Sequence, residues 1–275
     1  SGAAYDVSIA EVLFGYAHRP TVTLMMDDGY AEHYAKAGLP QTPDGMDGGF
    51  YSYMKYRGLK GTVAVIGSKV GSSSGFGFLS EANLREMYAS GFDLVTHGEE
   101  NLVTHFATDA ERFANIELNR DYLKSRGIGD GADVYVYPEG AYSNAIAAYL
   151  KSSGFIGART LFGPTILSGV TQPMAPYLHD AYRIRASTMG NRTFSDMKLI
   201  IDRAIACGHS VMLYGHLLRT TPPAGDIMVT QYSEFVLLVD YLFELVAAGL
   251  ADTVTLTELL KLVRGYAFSS APVAS

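Results

Sequence analysis

Residues 21–30 read Thr-Val-Thr-Leu-Met-Met-Asp-Asp-Gly-Tyr, and the reading of this stretch decides the fold. Val22, Leu24 and Met26 alternate with Thr21, Thr23 and Met25, and all six are β-branched or apolar. That pattern fits a strand buried on both faces, as in a parallel sheet. The run breaks off at two adjacent carboxylates, Asp27 and Asp28, followed by Gly29. In a (β/α) barrel the C-terminal strand ends face the active site, so acids there bear on chemistry more than acids on a helix surface. Side chains alternate along a strand, but a break at glycine lets both carboxylates turn toward one pocket. Two such acids permit a division of labour, one binding a cation and the other accepting a proton. Taken alone, the stretch also reads as an Asp-Asp-Gly turn without chemistry.

Working outward, further strand-like runs lie at 61–66, 92–96, 134–137, 154–159, 182–184, 210–214 and 253–256. Helical patterns separate them at 51–56, 80–91, 109–126, 145–151, 194–207, 232–248 and 258–263, with Ser80 as an N-cap and Gly91 and Gly127 as stops. Glycine- and proline-rich stretches at 38–49, 67–77 and 160–180 read as loops over the site. Residues 12–14 suit an outer strand or a covering segment. Strand and helix alternate without a break in composition, which predicts an α/β fold, a distorted barrel of seven or eight β/α units. We expect one domain over residues 1–268 and a disordered tail at 269–275.

Composition narrows the function. A chain of 275 residues with 48% hydrophobic residues buries a large single core. The net charge of −7 argues against a nucleic-acid surface and against a basic membrane patch. Cys207 is the only cysteine, so neither an intrachain disulfide nor a cysteine-based zinc cluster can form. Charges such as Asp240 and Glu244 interrupt the apolar runs, so no transmembrane helix is expected. No signal-peptide pattern opens the sequence, and Ser1-Gly2 reads as a processing or cloning scar.

Four strand ends carry polar groups: Asp27-Asp28, His97, Pro138-Glu139-Gly140 and His216. A lone histidine after a strand is usually a buried residue bonded to backbone. Four such ends in series are different, because a parallel barrel converges them on one mouth. His97 and Asn101 stand at i and i+4, the spacing of paired ligands on a helix. Glu100 and His105 are the alternative third ligands; an amide oxygen such as that of Asn101 is the weaker donor.

This arrangement resembles the NodB-homology polysaccharide deacetylases, carbohydrate esterase family 4. MMDDGY at 25–30 resembles the family's strand followed by D-D-G, and THGEEN at 96–101 its H-[ST]-x-x-H. VYPEG at 136–140 resembles its R-x-P-[YW], and MLYGH at 212–216 its closing L-x-H. GLKGTVAVIG, GFDLVTHG and the ending TQYSEFVLLVDYL…VTLTEL agree as well, so the resemblance covers about residues 20–263.

The resemblance implies a metal-dependent hydrolase that removes N- or O-linked acetyl groups from a polysaccharide. It implies Asp27 as general base, Asp28 and His97 as ligands of a divalent metal (Zn2+, with Co2+ as an alternative), and Asn101 in place of the usual second histidine. The backbone N–H of Glu139 would serve as oxyanion donor and His216 as general acid. Val136 stands where many members carry arginine, and Glu139 where they carry an aromatic residue, so the sugar is not inherited from chitin- or peptidoglycan-active members. Arg185, in YRIRAS, resembles a basic residue late in the family and is a candidate for binding substrate or holding the base in place, with a solvated surface position as the alternative reading. Tyr30, Tyr137, Tyr142 and Tyr214 are candidate stacking partners for sugar rings. Two other readings stand beside this one: a metal-independent amide hydrolase on the same scaffold, and a catalytically silent glycan-binding module of a larger surface or viral tail protein. An acetylated poly- or oligosaccharide as partner places the protein outside the cell, at the cell envelope or on a virion.

Overall fold

The alternating run at residues 21–26 forms β1 (Thr21–Met26), buried along its whole length. The computed structural model describes residues 19–100, 106–161 and 180–269. Six further strands run parallel to β1: β2 (Thr62–Val65), β3 (Asp93–Thr96), β4 (Val134–Val136), β5 (Gly157–Leu161), β6 (Ile184–Thr188) and β7 (Val211–Gly215). They pair in sequence order, and β7 pairs with β1 to close the barrel. That closing seam runs from Val22↔Val211 to Met26↔Gly215, which puts the ends of β1 and β7 at one level.

Two short strands, β8 (Leu217–Arg219) and β9 (Val229–Gln231), form a separate parallel pair beyond β7. An eighth sheet strand, β10 (Asp252–Thr253), lies beside the start of β1, with Thr21 opposite Asp252. Higher up, the same edge of β1 is taken by β2, at Met25↔Thr62 and Met26↔Val63. The described strands thus make a single-domain barrel of seven strands with a two-residue wedge, a (β/α)7–8 architecture.

The helices are α1 (Phe50–Tyr56), α2 (Glu81–Ala89), α3 (Asp109–Ser125), α4 (Asn144–Ser152), α5 (Phe194–Ala206), α6 (Tyr232–Ala247) and α7 (Leu256–Ser269). Reciprocal capping boxes start three of them, Ser80 with Asn83, Thr108 with Glu111 and Thr193 with Asp196. Each box satisfies N–H groups that a helix start leaves free.

The alternation along β1 sorts its side chains. Val22, Leu24 and Met26 pack with Phe50, Leu84, Ile201 and Phe235 in the layer between sheet and helices. Met25 instead joins Ala64, Val95, Val134, Val136, Ala186 and Met212 inside the barrel. Leu256, Leu259 and Leu260 of α7 belong to that inner cluster. The N–H of Leu256 reaches Thr62 Oγ1 and that of Thr257 reaches Asp93 Oδ2, both at the N-terminal ends of barrel strands. The first turn of α7 therefore forms the floor, and the opposite end is left for chemistry.

Three expectations need correction. The last strand, expected at 253–256, ends at Thr253, because Leu256 opens α7. The strand expected at 182–184 is β6, starting at Ile184 and continuing to Thr188. β8 and β9 were not foreseen, since three residues are too few to show a period. Residues 12–14 and 270–275 lie outside the described residues.

Candidate active site

At the end of β1 the chain turns through two consecutive left-handed residues, Asp28 (φ +76°) and Gly29 (φ +72°). Such a φ is unstrained for glycine but costs an aspartate about 1 kcal/mol or more. The turn brings both carboxylates to the mouth, each 4% exposed. Asp27 stays on the seam, its N–H donating to Gly215 O at 2.9 Å.

Asp28 Oδ1 lies 3.3 Å from His97 Nε2. The ring's other nitrogen, Nδ1, is 2.8 Å from the carbonyl of Val136. A carbonyl only accepts, so Nδ1 carries the proton, and in the neutral ring Nε2 offers a lone pair to a carboxylate oxygen. Two facing acceptors call for a cation or a proton between them. Two donors each about 2.0–2.1 Å from one tetrahedral zinc ion would themselves stand about 3.3 Å apart. Asp28 and His97 therefore fit a shared divalent ion. Burial pushes the Asp28 carboxyl up, but with no metal bound a proton on His97 Nε2 fills the gap between the two acceptors, and the hydrogen bond and charge of that protonated ring, the charge of His216 and a hydrogen bond from Tyr30 bring it down to about 2. It is a carboxylate at any working pH.

The loop after His97 departs from expectation. Gly98 has φ +89°, so no helix begins at 97 and the i, i+4 argument lapses at its first step. The asparagines of α3 hold this loop: His97 N–H donates to Asn119 Oδ1 at 2.9 Å, and Glu100 N–H to Asn115 Oδ1 at 2.7 Å. Glu100 is exposed, with its carboxylate 3.8 Å from Lys69. Asn101 and His105 lie outside the described residues. Among the described residues, no group of three His, Cys, Asp or Glu is placed to hold a metal.

Asp27 has a different environment. Arg159, fully buried on β5, pairs with its Oδ1. His216 Nε2 stands 3.9 Å from Oδ2. Burial holds the His216 imidazole below its ordinary pKa despite the nearby charges of Asp27 and Asp28. Arg159 was missed by the sequence reading, which named Arg185 as a candidate for this task. Arg185 is exposed on β6. The physical signal was present: a single arginine inside an otherwise apolar strand must be paired to be buried. Arg159 is also the register partner of Val136, the position where an arginine was expected by resemblance. The guanidinium comes from the neighbouring strand.

Pro138–Gly140 forms a tight 3-10 turn in which Glu139 has φ +54° and is exposed. Gly140 permits the turn, since a Cβ there would stand 2.7 Å from Leu161, and Thr160 Oγ1 anchors its carbonyl at 2.8 Å. The four tyrosines separate. Tyr137 is buried with its hydroxyl on the Tyr182 carbonyl, and Tyr214 is buried with Arg159 over its ring at 4.7 Å. Both are packing residues, not stacking faces. Tyr142 is partly exposed beneath the Arg183 guanidinium at 4.6 Å. Tyr30 is partly exposed beside Asp28 and packs edge-on against the exposed ring of Phe76 at 5.9 Å.

Solved structures show the same fold. A Mycobacterium smegmatis protein provisionally named a polysaccharide deacetylase superposes with a TM-score of 0.62 at 12% identity, covering 95% of this chain and 96% of its own. A family 4 carbohydrate esterase from Streptomyces lividans, solved with acetate, gives 0.50 at 12%, covering 85% and 91%. A family 4 acetyl xylan esterase from Clostridium thermocellum, solved with a cobalt ion, gives 0.50 at 15%, covering 88% and 91%. No curated protein sequence matches significantly. The family model described as polysaccharide deacetylase matches residues 15–157, more than half of the chain and the part that carries Asp27, Asp28 and His97, and the protein therefore belongs to the polysaccharide deacetylase family of hydrolases.

Proposed function

We propose that this protein is a metal-dependent deacetylase that hydrolyses acetyl groups, amide- or ester-linked, on a polysaccharide. The observation that carries the reading is the split between the two adjacent acids. Asp28 is aimed at a histidine lone pair, while Asp27 is held between a guanidinium and a second histidine.

In this reading Asp28 and His97 would hold a divalent ion, whose chemistry when bound would be to polarise the acetyl carbonyl and lower the pKa of a water molecule. Zinc suits a site of one carboxylate and one imidazole, and cobalt is an alternative. Asn101 is the proposed further ligand. Asp27, paired with Arg159, takes the proton of the attacking water. Burial keeps His216 neutral at rest, so the proton it gives to the departing amine or alkoxide is the one Asp27 has just received, 3.9 Å away. The N–H of Glu139, in its strained turn, is the proposed donor to the oxyanion. Tyr30 and Tyr142 keep partly exposed rings for contact with sugar, and exposed Phe76 extends the surface beside Tyr30. We take residues 1–268 as one such domain acting on glycan at or outside the cell envelope. Among the described residues no helix is long and apolar enough to cross a membrane.

The test is acetate release from N-acetylated chito-oligosaccharides, peptidoglycan fragments and O-acetylated xylo-oligosaccharides, alongside metal content. Metal-dependent release that is lost in Asp27→Asn supports the reading. Equal activity in chelated protein, or cleavage of small amides only, overturns it in favour of a metal-independent amidase. Binding of these glycans without turnover leaves a silent module.

A further inference from the structure

Beyond the closing seam, β1 and β7 both break, at Asp28-Gly29 and at Gly215-His216, and backbone pairing between them stops after Asp27 N–H to Gly215 O. Side chains then take over the ladder. A 3-10 turn at Ala31–His33 follows the Asp-Asp-Gly-Tyr stretch. His33 lies in it fully buried, its Nε2 2.6 Å from the carbonyl of His216. Glu32, 4% exposed, accepts the N–H of Leu218 at 2.8 Å. The same carboxylate pairs with Arg219 and takes Lys36 Nζ at 2.7 Å. Residues 215, 216 and 218 are thus each tied to the segment that follows β1.

We infer that Glu32 and His33 are positioning residues that staple the backbone around His216 and so hold its imidazole over Asp27. The inference rests on the deacetylase reading for its kinetic consequence, and on geometry alone for the staple. A carbonyl cannot donate, so His33 works only with its proton on Nε2, in the neutral ring that burial favours. Nδ1 of the same ring has no hydrogen-bond partner among the described residues, which leaves the His216 carbonyl as its assigned contact. Burying a carboxylate demands charged partners, and Glu32 has two, so the turn is rigid rather than a loose loop. Both residues lie within six positions of Asp27 in sequence, so one short segment supplies the base and orients the acid.

The test uses leaving groups. Protonation by His216 matters for a sugar amine or alkoxide and little for the phenolate leaving an aryl acetate. His33→Leu should lower kcat on an acetylated oligosaccharide by on the order of 10²-fold, KM little changed, and on an aryl acetate by less than about threefold. His33→Gln, whose amide N–H falls near the position of Nε2, should recover most of the loss. Equal loss on both substrates, or no recovery with glutamine, means a merely structural role and overturns the inference. A crystal structure of His33→Leu reads the staple without turnover: the Asp27–His216 separation of 3.9 Å should lengthen, and an unchanged distance overturns the inference. If the wild type releases no acetate from any glycan, the deacetylase reading fails, and that structural readout alone decides the staple.

Discussion

Asp28 at the mouth of the barrel and Asp93 at its floor are the same residue type at nearly the same burial, 4% and 6% exposed, yet their carboxyls are driven in opposite directions. Burial raises both. At Asp28, with no metal bound, the hydrogen bond and charge of the protonated His97 ring, helped by His216 and Tyr30, overcome it and bring the pKa to about 2. At Asp93 the opposing groups are the N–H and hydroxyl of Thr257 and the charge of Lys261, while Glu258 adds to the rise, and the pKa reaches about 6. Neutral dipoles satisfy a buried carboxylate's hydrogen bonds without cancelling the cost of its charge; cationic neighbours do both. The mouth keeps Asp28 ionised, and the floor tolerates an acid that is not.

The largest expected effect would separate the two acids of the mouth itself. Asp27→Asn should lower glycan deacetylation by about 10²–10⁴-fold with metal content unchanged, since it removes a proton acceptor. Asp28→Asn should lose both activity and metal, read by elemental analysis. Equal metal loss in the two variants would show that the roles are not divided.

Next comes the cation paired with Asp27. Arg159→Met leaves a buried carboxylate without its partner and should destabilise the fold by about 3–5 kcal/mol in urea unfolding. Because Val136 and Arg159 are register partners, Val136→Arg added to Arg159→Met should restore part of that loss. A single variant as stable as the wild type would show that the mouth does not depend on this cation.

At the floor the effect is smaller and depends on pH. The folded-state pKa of Asp93 is raised from 3.8 to about 6, so the folded protein holds this proton more tightly than the unfolded chain does. Its contribution is therefore neutral below pH 3.8, falls as pH rises to 6 and is flat above, a cost of about 3 kcal/mol at most. Asp93→Asn keeps an acceptor for Thr257, so it should match the wild type near pH 4 and be more stable above pH 6. Parallel stability–pH curves for the two proteins would falsify the contrast between floor and mouth.

The smallest effect lies at the rim. Phe76, 61% exposed, has its ring edge-on to Tyr30 and the Arg219 guanidinium 5.1 Å over it. Phe76→Ala should raise KM for long oligosaccharides by roughly 3–10-fold, the worth of one aromatic contact, and leave a small aryl acetate untouched. A rise on both substrates would place Phe76 in the scaffold rather than on the glycan's path.

The sequence by itself determined what depends on local pattern. The two-faced burial of residues 21–26, the breaks after the strands and the helix caps are written in neighbouring residues, and they led to a parallel barrel with polar strand ends at one mouth. The motifs named Asp27, Asp28, His97 and His216 for the same reason, since each is fixed by its place at the end of a run. What only the tertiary structure decided is pairing across distance. Arg159 meets Asp27 because β5 and β1 both face the barrel interior, a relation with no trace in a separation of 132 residues. Arg185 looked equivalent in sequence and is exposed, because neighbouring positions on strands face opposite sides. The i, i+4 relation that a helix starting at His97 would have given was lost to Gly98 and to the asparagines of α3, which hold the loop from outside it. Burial of a charge is a property of the assembled interior, so which acid keeps its charge and which keeps its proton was set only when the strands closed.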